Sequence, residues 1–105
     1  MTAVTERFLE AVAQDDGARA CMRLSAGAIE ALEHDEGSAC AEAARGLELE
    51  ASRVTRAQVF ATEAKVDLAD GASAFLELTS SGWRIAAAGC TPQAGDRPFE
   101  CELEA

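Results

Sequence analysis

Four cysteines, Cys21, Cys40, Cys90 and Cys101, are the side chains of this sequence most able to do covalent chemistry, and successive ones stand 19, 50 and 11 residues apart. Zinc sites bring their ligands in close pairs, about two to four residues apart, and thiol redox enzymes favour Cys-x-x-Cys. Neither spacing occurs. Structural disulfides are therefore the expected use of the sulfur, and four cysteines leave three pairings open. His34, the only histidine, sits in "EHDEG" beside Asp35 and Glu36. A histidine next to carboxylates can serve as a general base or hold a metal. Neighbouring positions on a helix point in different directions, however, and a histidine in a last helical turn suits the dipole there. His34 thus reads as an exposed surface residue, with acid–base work its minor alternative. Glu63 and Asp67 are the nearest strand carboxylates, and alternation turns Asp67 away from the helices. "DLADG" lacks the alternating acidic ligands of a calcium loop and reads as a hairpin turn at Asp70-Gly71. There is no phosphate-binding glycine loop and no nucleophile with a histidine partner. No metal and no cofactor is expected.

Charge narrows the partners. Nineteen acidic against nine basic residues give a net charge of −10, with the basic residues scattered singly. Such a surface repels nucleic-acid backbones and anionic headgroups. No apolar run of about 20 residues could span a bilayer, and "MTAVTERFLEAV" lacks the basic start and apolar stretch of a signal peptide. The chain is read as soluble, with any targeting segment absent from it. At 105 residues and 49% hydrophobic, it should fold as a single domain over its whole length, small enough to gain from covalent staples.

The elements that position these residues change period halfway along. "TERFLEAVAQ" places Phe8, Leu9 and Val12 on one helical face, with Thr5 as a candidate N-cap and "QDDG" as the stop. "ARACMRLS" is a short second helix carrying Ala20, Met22 and Leu24. "AIEALEHDEG" is a third, with Ile29 and Leu32 inward and Gly37 ending it. Ser38 is an N-cap candidate for a fourth in "SACAEAARGL", closed at Gly46. The second half alternates in "SRVTRAQVFA", "EAKVDL", "SAFLEL" and "WRIAAAGC", with "PFECELE" a fifth possible strand. Ala64, Val66, Leu68, Leu76, Leu78, Trp83 and Ile85 belong on the helix-covered face. Lys65, Asp67, Glu77 and Arg84 belong on the other, with Phe75 either exposed or in an oligomer contact. Helices followed by an antiparallel meander make an α+β protein.

Two stretches also carry a likeness. "FLEAVAQDDGARACMRLS" resembles the opening helices of the nuclear-transport-factor-2-like superfamily, which includes polyketide-cyclase-like proteins. "DGASAFLELTSSGWRIAAAGC" resembles its closing hairpin. The cysteine arrangement, with "CAEA" and a closing "GCTP…CELE", is similar to that of small actinobacterial exported proteins and lipoproteins of uncharacterised role. The resemblance implies a cone of N-terminal helices packed on a curved, mostly antiparallel sheet of four to five strands. It implies export, and it carries over no activity.

With that resemblance in hand, the expected pairs are Cys21–Cys40 and Cys90–Cys101. The second would tie off a loop whose unfolded freedom Pro92 and Pro98 restrict. Candidate ligand-pocket residues are Trp83, Val66, Leu76, Phe8 and Val12. The inward sheet positions are Ala, Val, Leu, Trp and Ile, and the chain has no Tyr to pair with a carboxylate. The favoured reading is therefore a non-catalytic, extracytoplasmic binding or accessory module, secreted or membrane-anchored. Its partner would be a protein or small apolar ligand, with a homodimer through the sheet face. The alternatives are a small cyclase- or isomerase-type enzyme with a cone-shaped apolar pocket, and a cytoplasmic redox or metal-responsive protein.

Overall fold

The computed structural model describes residues 1–92 and 99–105. Four helices precede five strands: α1 (Thr2–Ala13), α2 (Gly17–Cys21), α3 (Ala26–Glu36), α4 (Cys40–Ala44), β1 (Val54–Phe60), β2 (Glu63–Leu68), β3 (Ser73–Thr79), β4 (Gly82–Thr91) and β5 (Glu100–Glu104). The strands form one antiparallel meander in the order β1-β2-β3-β4-β5. The α+β expectation holds, and the fifth strand is real.

Helix α1 buries Thr5, Phe8, Leu9, Ala11 and Val12. Thr5 is not its N-cap. The helix begins three residues earlier, with Met1 in the cap position, and the buried Thr5 hydroxyl donates to the Met1 carbonyl oxygen at 3.0 Å. A threonine can satisfy its hydroxyl this way inside a helix. Asp15 adopts φ 63° and turns the chain. The Asp16 carboxylate then caps α2 by accepting from the Arg19 amide. Met22 is 68% exposed and lies outside the helix expected to carry it. Helix α2 ends at Cys21, so Met22 falls in the turn beyond it, while Ala20 and Leu24 fill the core.

The buried Ser25 hydroxyl caps α3 by accepting from the Ala28 amide, and Gly37 closes that helix with φ 66°. Ser38 does not cap α4. Ala39 holds the cap position without a side-chain bond, and the Glu33 carboxylate reaches over from α3 to accept from the Cys40 amide at 2.9 Å. Gly17 lets α2 and α4 touch, because a Cβ there would overlap the Ala41 carbonyl oxygen. Between α2 and α3 the chain is stitched to the sheet. The Ser25 amide donates to the Ile85 carbonyl and the Ile85 amide to the Arg23 carbonyl, both at 2.8 Å.

On the helix-covered face Ala64, Val66, Leu68, Leu76 and Ile85 are buried as expected. Leu78 is not; it is 47% exposed, and its cross-strand partner Trp83 is half-buried. This last row of β3 and β4 runs past the helical layer. On the opposite face Glu63 and Glu77 are solvated, while Lys65, Asp67 and Phe75 are half-buried. Phe75 is thus half-buried rather than exposed within one copy. Phe99 meets it edge-on, ring centroids 5.4 Å apart, and the Lys65 ammonium lies 4.9 Å from the Phe99 ring centroid. Lys65 also pairs with Asp67 at 3.5 Å, and the Ser73 hydroxyl donates to Asp67 at 2.9 Å. The expected role of Pro98, with the rest of 93–98, lies outside the described residues.

Candidate binding cleft and the disulfide frame

All four cysteines are joined, as Cys21–Cys40 and Cys90–Cys101. The first links the end of α2 to the start of α4, with Cα atoms 6.2 Å apart. The close approach at Gly17 makes that crossing possible. The second joins two residues directly opposite each other on β4 and β5. Each bond restricts the unfolded chain, and loops of 19 and 11 residues correspond to about 3 kcal/mol each in the chain-entropy model. As cystines these sulfurs are neither nucleophiles nor metal ligands. Among the described residues no cluster of His, Cys, Asp or Glu is arranged to hold a metal. Disulfides persist in oxidising compartments, and no described helix is long and apolar enough to cross a membrane.

The five pocket candidates come together, but as core. Phe8, Val12, Val66 and Leu76 are between 0% and 6% exposed and belong to one packed cluster, with Trp83 against its margin. A ligand among them would have to displace side chains at crystal-like packing density. His34 lies on the exposed last turn of α3, in a shallow depression shared with Glu30, Asp35 and Glu104. It is not brought near Trp83, Glu63 or Asp67 by any contact described above.

One of the openings in the surface lies where α1, the α4–β1 connection and the sheet meet. Leu9 of α1, Leu49 of the α4–β1 connection, Leu68, Ala72 and Gly89 form the apolar part of a cleft of about 300 Å³. Glu48, Glu50, Asp70 and Glu102 line the same cleft. Gly89 keeps it open at φ 66°, since a Cβ there would sit 2.6 Å from Leu49 Cδ2 and 2.8 Å from Glu102 Cβ. Leu49 can lie this close to β4 only because position 89 has no side chain. The sequence signal for the cleft is the alternation Leu47-Glu48-Leu49-Glu50, which belongs to neither a helix nor a strand and so escapes a search for periodic elements. Such a lining suits a small ligand with an apolar body and a cationic group.

Comparison with known proteins adds little. No family model and no curated protein matches the chain. Among solved structures, a variant of Rv3472, a function unknown protein from Mycobacterium tuberculosis, aligns over 97% of this chain and 71% of its own. The identity is 15% and the TM-score 0.37, a level that carries no conclusion about fold family or function.

Proposed function

We propose that this chain is a non-catalytic binding module that works outside the reducing cytosol, built on the nuclear-transport-factor-2-like plan and similar in design to small exported actinobacterial proteins. The observation that carries the reading is where the molecule is closed and where it is open. Its interior is filled by Phe8, Val12, Val66 and Leu76, whereas the cleft at Leu9, Leu49 and Gly89 is accessible and lined by four carboxylates. Recognition then falls on the cleft, and its ligand is a small amphiphile with a positive head. The disulfide frame supports the compartment, because it closes both the helical layer and the β5 edge with bonds that a glutathione pool works against.

Titration of the isotope-labelled protein with hexyltrimethylammonium, followed by amide chemical shifts, tests this reading. Shifts confined to Leu49, Ala72 and Gly89, absent with hexyl sulfate, are expected. Equal shifts with both probes, or shifts scattered over the surface, would refute the cleft. Periplasmic and cytosolic expression of the chain, followed by thiol counting without reductant, tests the compartment separately. Well-folded protein is expected only from the oxidising route.

A further inference from the structure

Strand β1 is an edge strand, and its exposure is out of keeping with its position. Its register sets Ala57 opposite Val66 and Val59 opposite Ala64, two buried partners, so Ala57 and Val59 lie on the helix-covered face. Yet Ala57 is exposed and Val59 is 51% exposed. Arg56, Gln58 and Phe60 lie on the other face, opposite Asp67, Lys65 and Glu63, and Phe60 is 59% exposed. The strand contains neither proline nor glycine, and an open edge of this kind is a template for another strand.

Two features limit what can pair with it. The register shifts at Thr55, between Val54 and Arg56, and the chain turns at Ala61, where φ is 57°. The regular edge is therefore Arg56–Phe60, with Gln58 at its centre. The stretch 51–62 also has no Asp or Glu, in a chain whose net charge is −10. Two copies that repel each other over most of their surfaces can bring the Arg56–Phe60 backbones together here with no carboxylate of the strand itself between them, the Glu6 carboxylate at the strand's start being engaged by the Val54 amide at 2.8 Å.

We infer that β1 pairs antiparallel with β1 of a second copy about a two-fold axis through Gln58. That register is self-complementary on both faces. Gln58 meets Gln58 of the partner subunit, and two primary amides can exchange hydrogen bonds. Val59 meets Ala57 of the partner subunit on the helix-side face, covering the apolar surface left bare there. Phe60 meets Arg56 of the partner subunit, twice by symmetry, which sets a guanidinium against an aromatic ring. The two sheets join into one continuous antiparallel sheet by an isologous contact that closes on itself. This edge-to-edge contact is distinct from a dimer through the sheet face and does not depend on the cleft's ligand.

Sedimentation velocity of the full chain, from micromolar to millimolar, tests the pairing. A reversible dimer is expected. Phe60→Lys, which places an ammonium against Arg56 of the partner subunit, should weaken it by about tenfold or more through loss of both cation–π contacts and the new repulsion. Because Phe60 is exposed, the monomer should keep its far-ultraviolet spectrum. Gln58→Cys fixes the register independently: mild oxidation should link two copies through that position, mapped by mass spectrometry, much faster than for Glu77→Cys on the same face. A wild-type chain that stays monomeric at millimolar concentration overturns the inference. So does a dimer that Phe60→Lys leaves unchanged, or one that Glu77→Cys cross-links as readily as Gln58→Cys.

Discussion

Strands β1 and β5 are the two edges of one sheet, and they are treated in opposite ways. β5 is held to β4 by the Cys90–Cys101 bond, sends Leu103 into the core and has three exposed glutamates, Glu100, Glu102 and Glu104. Helix α3 packs against it, with Gly27 beside Ala105. β1 has no covalent tie and exposed apolar side chains on both faces. Charge along β5 repels a second strand, and burial fixes its register. What separates them shows two treatments of a sheet edge, one closed by several devices at once and the other left open as a template for pairing.

The largest test of this contrast is truncation of the inward side chain on each edge. Leu103→Ala should cost about 2–5 kcal/mol in urea unfolding, through lost contacts and the cavity left behind. Removing the β5 staple with Cys90→Ser and Cys101→Ser together should cost about 3 kcal/mol, and amide exchange should then speed up along β5 more than along β1. Gly89→Ala should cost about 1–3 kcal/mol, because the added methyl strains the φ 66° backbone and displaces Leu49 or Glu102. Smallest is Val59→Ala, expected to change stability by less than about 0.5 kcal/mol in dilute monomer. A loss there as large as that for Leu103 would mean that β1 is covered within a single copy, and the contrast between the edges would fail.

Much of this was legible in the residues. The change from helical period to alternation at about Val54 gave the layer order, and Asp15-Asp16-Gly17, Gly37 and Asp70-Gly71 marked turns by their own chemistry. Helix starts were less legible. Glu33 takes over the capping bond expected of Ser38, and a bond between neighbouring helices cannot be seen in local sequence. Leu78 has the pattern of an inward residue, but how far helices extend over a sheet depends on packing angles rather than on alternation. Phe75 looked exposed because its cover, Phe99, lies far along the chain. The cleft was missed since its apolar lining comes from a helix, a connection, a turn and two strands, each contributing one residue.

The hydrogen bonds between Arg23, Ser25 and Ile85 bear on how the chain acquires its shape during synthesis. The junction between α2 and α3 takes its two bonds to the sheet from β4, which leaves the ribosome long after the helices do. The Cys21–Cys40 crossing involves the helical half alone and can close while the sheet is still unmade. The helical half thus has one covalent contact that needs no part of the sheet, the Cys21–Cys40 bond, whereas its hydrogen bonds to Ile85 need β4 in place.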